Sequence, residues 1–141
     1  MSNVRAARHE DLPGINHVSG FLGYAASSLE ESRNRLEAIL RSEVDELWVY
    51  EHNDEIRGWI HAFVATRLAS PSFVEIGGLV VDGEYRRQGI GRDLVQAAVD
   101  WSRREQLSLR VRCNSKRDGA NLFYKNLGFE NSKSQIVHAL H

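Results

Sequence analysis

The stretch from Glu75 to Arg92 constrains the fold more than any other part of the chain. It opens with an apolar, β-branched run, Ile76 to Val81, which is typical of a buried strand. Asp82-Gly83 then predicts a turn, and a basic segment with two glycines leads into a helix. Backbone N–H groups point outward in such a loop, and the helix dipole favours negative charge there. The stretch therefore predicts a strand that ends in an anion-binding turn.

The remaining pattern predicts one mixed α/β domain that spans residues 1–141. Strands are predicted over Val4–Ala7, Leu47–Tyr50, Ile56–Thr66, Phe73–Val81, Leu107–Cys113 and Ser134–Leu140, and helices over Leu12–Val18, Leu29–Ser42, Gly89–Arg104 and Ala120–Leu127. Ser28 and Glu31 form a capping box at the start of the second helix. This order predicts a mostly antiparallel sheet with helices on its faces. One parallel pair is expected where the Gly89–Arg104 helix crosses between strands.

Composition favours a cytoplasmic protein with no membrane association. The single cysteine, Cys113, excludes an internal disulfide and fits a reducing cytosol. It lies on the apolar face of a strand, so we interpret it as a structural thiol rather than a nucleophile. No apolar run approaches the roughly 20 residues of a transmembrane helix, and the N-terminus is too polar for a secretory signal.

Charge is distributed unevenly along the chain. Residues 1–60 carry a net charge of −5 and residues 61–141 a net charge of +4. This asymmetry would suit a polyanionic ligand bound by the C-terminal half and a cationic ligand met by the N-terminal half, although a solvated surface gives the same pattern. The near balance of 18 basic and 19 acidic residues argues against nucleic acid as a partner. The six histidines form no metal-binding spacing, so no metal is expected.

The glycine loop by itself leaves its ligand open. The pattern Arg86-x-x-Gly89-x-Gly91 lacks the third glycine of a dinucleotide fingerprint and the Gly-Lys-Ser/Thr of a Walker loop. It is either an anion site or a basic turn with a glycine chosen for packing.

Two segments together resemble a known family. Residues 79–92, Leu-Val-Val-Asp-Gly-Glu-Tyr-Arg-Arg-Gln-Gly-Ile-Gly-Arg, resemble the acetyl-coenzyme A (acetyl-CoA) signature of the GNAT superfamily of N-acetyltransferases. Residues 120–129, Ala-Asn-Leu-Phe-Tyr-Lys-Asn-Leu-Gly-Phe, resemble that family's second signature. The two segments occur in the family's order and at its separation. The resemblance implies a GNAT fold whose sheet is splayed at the cofactor-binding strand, and acetyl-CoA as co-substrate.

The resemblance also implies which residues bind the co-substrate. Backbone groups of Leu79, Val80 and Val81 would meet the pantetheine arm, and a bulge at Gly77-Gly78 would splay the strand. The pyrophosphate would lie on the loop residues Arg86, Arg87, Gln88, Gly89, Ile90, Gly91 and Arg92. Family members often place a cofactor-binding asparagine where this chain has Arg117, so Asn114 or Asn121 is expected to replace it.

Two side chains are the catalytic candidates. Glu75 stands where many family members keep a glutamate base that acts through a water. The alternative for Glu75 is a carboxylate that merely caps or pairs with an arginine. Tyr124 matches the family's general-acid tyrosine near the sulfur. Its alternative is one more aromatic side chain on an apolar helix face.

The expected function is acetyl transfer from acetyl-CoA to a primary amine of a small molecule or peptide, by direct attack in a ternary complex. The acceptor would lie between the first two helices and the middle strands, a region rich in acidic residues (Glu30, Glu31, Glu37, Glu43, Asp45 and Glu46), which suits a cationic acceptor. The alternatives are transfer of a different acyl group, or a CoA-binding sensor or scaffold without turnover. A homodimer remains open beside a monomer.

Overall fold

A computed structural model describes residues 3–23, 27–113 and 118–141 of the chain. The strands are β1 (Val4–Ala6), β2 (Asp45–His52), β3 (Glu55–Ala65), β4 (Phe73–Val81) and β5 (Leu109–Val111), and the helices are α1 (Leu12–Ser19), α2 (Leu29–Arg41), α3 (Ile90–Arg104) and α4 (Asp118–Asn126). Single 3₁₀ turns occur at His9–Asp11, Gly20–Leu22 and Gly83–Tyr85. The chain divides into two compact units, Met1–Val111 and Arg112–His141.

The strands of the first unit form one sheet in the order β1-β2-β3-β4-β5. All neighbouring strands are antiparallel except β4 and β5, which are parallel and connected through α3. A parallel connection requires such a crossover, and the helical pattern that starts at Gly89 predicts it. The mixed, mostly antiparallel sheet predicted from the sequence is confirmed.

Each face of the sheet is covered by different helices. Leu47 and Val49 pack with α1 and α2, and Trp59 joins them as its indole N–H donates to Ser19 Oγ at 3.0 Å. On the other face, the ring of Trp48 lies 5.9 Å from that of Trp101 in α3. Alternation along β2 and β3 therefore divides the core into two layers.

The first two helices begin where the sequence predicts. At α2, Glu31 N–H donates to Ser28 Oγ and Ser28 N–H donates to the Glu31 carboxylate, both at 3.1 Å. These two bonds confirm the capping box, and the bond from the Ser28 N–H to the carboxylate lowers the pKa of Glu31.

The C-terminal segment differs from the prediction. The strand predicted over Ser134–Leu140 is wrong, because residues 129–141 form neither helix nor strand. Its large apolar side chains, those of Ile136, Val137 and Leu140, are 84%, 82% and 102% exposed, so no burial stabilises an extended conformation. High β-propensity reflects packing on a sheet surface and does not create a strand without one.

None of the helices in the described part of the chain combines the length and the hydropathy that a membrane span requires.

Candidate active site

A bulge interrupts β4 at Gly77. His61 of β3 lies opposite Gly78 and Ala62 lies opposite Ile76, which leaves Gly77 as the extra residue. The bulge expected at Gly77-Gly78 is thus confirmed. A Cβ atom at Gly77 would lie 2.9 Å from His61 Nδ1, closer than real Cβ contacts. The bulge therefore requires a glycine to leave room for the imidazole.

Beyond the bulge, the pairing of β4 with β5 has ended. The two strands pair only from Val74 to Ile76, whereas β3 accompanies β4 as far as Val81. Alternate residues of a strand direct their N–H and C=O groups to opposite sides. Within the structure's described ranges, the backbone of Leu79 to Val81 thus has a strand on its β3 side alone.

The turn after β4 is built around Asp82. This carboxylate is 2% exposed and accepts hydrogen bonds from the Glu84 N–H at 3.0 Å and from the Arg57 guanidinium at 3.4 Å. The same guanidinium lies 4.1 Å from the centre of the Tyr85 ring. Arg57 and Asp82 therefore fix the chain where it leaves the strand for the glycine loop. Sequence reasoning missed this pair, although an aspartate before glycine at a strand end is a turn signal.

The glycine loop ends at the N-terminus of α3. Gly89 is the residue before the helix, has a φ of +81° and provides no capping side chain. The first N–H groups of any α-helix have no partner within the helix, so those of α3 are available to an anion. Ile90, only 3% exposed, anchors this turn in the core. Arg86, Arg87 and Gln88 are exposed, as is Arg92, whose guanidinium folds back beside Gly89. Arg87 also has a positive φ of 65°.

Glu75 lies on the same face of the sheet as α1 and α2, which cover this face at other positions along the strands. Its register partners are Phe63 on β3 and Arg110 on β5, and it is half-buried. The ring of Phe63 is 5.8 Å from that of His61, so both rings share this face with Glu75. Glu75 thus lies on the bulged strand, two residues before the bulge.

A second ionisable pair, not singled out from the sequence, lies beside the bulge. Nε2 of His61 is 2.6 Å from Oδ1 of Asp45, and both side chains are about four-fifths buried. His61 also lines a pocket of about 750 Å³ between α1, α2 and β3, which we call the α1–α2 pocket. Asp45 and His61 are diagonal neighbours across β2 and β3, a relation that only the strand register reveals.

Described partners account for three of the six acids considered for a cationic acceptor. Glu31 pairs with Arg35 and Glu37 with Arg41, each along one face of α2. Asp45 bonds His61, and both His61 and Arg35 line the α1–α2 pocket. The described residues contain no group of three or more His, Cys, Asp or Glu side chains that could hold a metal ion.

The second unit contains the other motif. Helix α4 carries Tyr124 and ends in a Schellman-type turn: Phe129 N–H donates to the Tyr124 carbonyl at 3.0 Å, and Gly128 has a φ of +98°. Gly128 thus terminates the helix. The Phe129 ring lies 5.4 Å from the Tyr124 ring, so the Gly-Phe pair orients the tyrosine. Asn121 is exposed on the same helix. Asn114 and Arg117 lie outside the described residues.

Comparison with known proteins identifies relatives of this arrangement. The family model described as acetyltransferase (GNAT) family matches residues 15–129. No curated protein sequence matches the chain.

Solved structures share the fold. A candidate acetyltransferase from Agrobacterium tumefaciens strain C58 has a TM-score of 0.87 and 19% identity over 97% of this chain and 99% of its own. The aminoglycoside 6'-N-acetyltransferase AAC(6')-Ig from Acinetobacter haemolyticus has a TM-score of 0.85 and 11% identity over 98% and 97%. AAC(6')-Iy with a CoA-linked bisubstrate analogue has a TM-score of 0.86 and 15% identity over 98% and 97%, and it has also been solved with CoA. At these identities the likeness concerns the fold.

Proposed function

The chain belongs to the acetyltransferase (GNAT) family and is an acyltransferase, and we propose that it moves an acetyl group from acetyl-CoA to a primary amine. The observation that carries this proposal is the open stretch of β4 that leads directly to the N-terminus of α3. Among the described residues no strand pairs with the β4 edge that faces away from β3 over Leu79 to Val81, and such an edge suits the amide groups of a pantetheine arm. The helix start that follows it suits a pyrophosphate.

The proposed binding roles follow this geometry. Leu79, Val80 and Val81 would offer backbone hydrogen bonds to the pantetheine arm. Arg86 to Arg92 would bind the pyrophosphate, with backbone N–H groups at the helix start and the guanidinium groups adding charge. Gly89 fits this role, since its conformation turns the chain tightly without a side chain at the helix start. For the asparagine that contacts the cofactor, Asn114 and Asn121 remain proposals from the family resemblance.

The reaction needs two proton transfers. An alkylamine has a pKa of about 10 and a thiol one of about 8.5, so the amine must lose a proton and the thiolate must gain one near neutral pH. We assign the first transfer to Glu75 acting through a water, on the support of its place on the bulged strand. We assign the second to Tyr124, on the support of its motif and of the turn that orients its ring. A strand N–H near Leu79 would stabilise the oxyanion.

The acceptor we propose is a small molecule or peptide with a primary amine that is protonated in solution. Some structural neighbours are aminoglycoside N-acetyltransferases, which supports a small-molecule amine as the class.

We propose that the amine attacks the thioester directly in a ternary complex. This agrees with the described part of β4, which offers no nucleophile to carry the acetyl group. We further propose that residues 1–141 act as one catalytic domain, supported by the family match over residues 15–129. The lone cysteine supports a cytoplasmic location.

The test combines kinetics with binding. The wild type is assayed for thiol release from acetyl-CoA against a panel of primary amines. Glu75→Gln and Tyr124→Phe should each lower kcat on the order of 10²-fold while CoA affinity stays near the wild-type value. Glu105→Gln and Tyr50→Phe are matched controls on α3's C-terminal end and on β2, and both should keep full activity.

The outcomes separate the alternatives. If the wild-type protein binds CoA but turns over no amine, the acetyl-transfer proposal fails and the CoA-binding sensor takes its place. If a longer acyl-CoA is turned over faster than acetyl-CoA, the acyl donor differs from the one proposed. Unchanged rates in both Glu75→Gln and Tyr124→Phe would refute the roles given to these residues.

A further inference from the structure

The His61–Asp45 pair joins two parts of the site. One edge of the imidazole faces the bulge of β4, since a Cβ atom at Gly77 would lie 2.9 Å from Nδ1. The other edge is bonded through Nε2 to Asp45. The ring also lines the α1–α2 pocket. His61 therefore stands between that pocket and the strand on which the thioester is proposed to lie.

The bond to Asp45 determines what the other ring nitrogen can do. An ionised carboxylate only accepts hydrogen bonds, so Nε2 carries the proton in the pair. In the neutral ring Nδ1 then holds a free lone pair. The nitrogen beside the bulge is thus the one able to accept a proton. A carboxylate that fixes the tautomer of a proton-accepting histidine is a common catalytic arrangement.

The α1–α2 pocket indicates what kind of molecule would present the proton. Its walls are largely aliphatic, from Leu12, Ile15, Leu36, Ile39 and Leu47, with the indole of Trp59 beside His61. Among its described lining residues none is Asp or Glu, and the one Lys or Arg is Arg35. Such walls favour an apolar body and oppose several positive charges.

We propose that His61, oriented by Asp45, accepts the proton of a monoamine whose apolar body occupies the α1–α2 pocket. This inference rests on the proposed acetyl transfer and narrows it to a substrate class. In this scheme His61 is a catalytic residue and Asp45 a positioning residue.

The protons balance as follows. Conversion of R–NH₃⁺ and acetyl-CoA into R–NH–acetyl and CoA–SH removes two protons from nitrogen and adds one to sulfur. Here His61 Nδ1, rather than the water on Glu75 assigned above, takes the first proton before attack and passes it to solvent. The nitrogen lone pair forms the C–N bond at the thioester carbonyl, and collapse of the intermediate breaks the C–S bond. The second proton leaves nitrogen through the water to Glu75, and Tyr124 protonates the thiolate. The proton on Glu75 then returns through solvent to the tyrosinate, which restores both side chains.

The test uses two acceptors that differ in charge. Phenethylamine is an apolar monoamine that is protonated near neutral pH, whereas hydroxylamine is neutral and needs no proton removed before attack. His61→Gln should lower kcat/KM for phenethylamine on the order of 10²-fold and leave the hydroxylamine reaction near the wild-type rate. His52→Gln, at an exposed histidine at the end of β2, should match the wild type with both acceptors.

Asp45→Asn tests the positioning role through the pH profile. Charged groups near His61 come from three elements: Asp45 on β2, Glu75 on β4 and Arg35 on α2. From α1 the pocket receives the neutral Asn16 and Ser19. The asparagine should reduce kcat/KM for phenethylamine about tenfold and move the ascending limb of its pH profile. A loss without a change in that limb would mean a structural role and would overturn the assignment.

The remaining outcomes separate this inference from the proposed function. If the wild type releases thiol with neither acceptor, the proposed function itself fails. If the wild type is active and His61→Gln loses equal activity with both acceptors, or none, the proton-accepting role fails. If kanamycin, a polycation, is a better wild-type substrate than phenethylamine, the apolar pocket assignment fails. Equal CoA affinity and melting temperature in His61→Gln and wild type would exclude misfolding as the cause of a loss.

Discussion

Replacing Gly89 with alanine should weaken both the fold and the proposed pyrophosphate site. The φ of +81° lies in the left-handed region, where a Cβ costs about 1–2 kcal/mol. Alanine also restricts the unfolded chain, which recovers roughly 0.4–1 kcal/mol. The new Cβ would meet an Arg92 nitrogen at 3.0 Å, but that side chain is 70% exposed and can move away. The net loss in the free energy of unfolding should be about 1 kcal/mol.

A matched substitution gives the opposite sign. Gly20 has a φ of −57° and nothing within 4 Å of a Cβ position, so Gly20→Ala should stabilise the protein by about 0.5 kcal/mol. Urea unfolding can be followed through Trp48, Trp59 and Trp101, which all lie in the first unit. If Gly89→Ala proves as stable as Gly20→Ala, the conformational argument is refuted.

The same variant separates the two parts of the proposed co-substrate site. CoA carries the pyrophosphate and pantetheine does not. Calorimetry should therefore find that Gly89→Ala weakens CoA binding about tenfold, or roughly 1.4 kcal/mol, and leaves pantetheine binding unchanged. Equal weakening of both ligands would show that the loop does not bind the phosphates.

Three further substitutions test individual interactions within the two units. Burial would raise the pKa of Asp11, but hydrogen bonds from Arg5 and the Arg8 N–H outweigh it and lower that pKa. Asp11→Asn should therefore cost about 1–2 kcal/mol at neutral pH. Its difference from wild type should begin to shrink as the pH falls below about 4, the ordinary pKa of an aspartate in the unfolded chain, and should be lost once the pH is below the lowered pKa of folded Asp11. A difference that grows in acid would contradict this sign. Asp82→Ala should cost about 2 kcal/mol in urea unfolding, since the Glu84 N–H and Arg57 lose a buried acceptor, and a loss below about 0.5 kcal/mol would contradict its role. Gly128→Ala should strain the end of α4 by about 1 kcal/mol and speed hydrogen exchange at the Phe129 amide, which unchanged protection would disprove.

Local signals made much of the fold predictable. The β-branched run before Asp82, the glycines of the loop and the terminator at Gly128 each restrict the backbone over a few residues, and the structure has the expected elements there. The crossover α3 also implied a parallel neighbour for β4. The bulge at Gly77 followed from the family resemblance rather than from periodicity, since consecutive glycines in a strand fit a bulge or a close approach equally well.

The missed features depend on tertiary register. Asp45 and His61 are 16 residues apart, and Arg57 and Asp82 are 25 apart, so no local pattern pairs them. They meet because hairpin register fixes which side chains become cross-strand neighbours. The side chain of Asp11 gave a misleading signal: it precedes α1 like a capping residue, yet it bonds Arg5 and the Arg8 N–H instead. The tail from Ser134 shows the converse error, where β-propensity exists but the apolar side chains are exposed.

The most direct test of the account is the fate of the acetyl group itself. The wild-type protein is incubated with phenethylamine and acetyl-CoA that carries an isotopic label in the acetyl group, and the products are examined by mass spectrometry. The account predicts that the label appears on the amine nitrogen as an amide, with one free CoA thiol for each amide formed. Label that stays on CoA while CoA remains bound, or that is released as acetate, would contradict it.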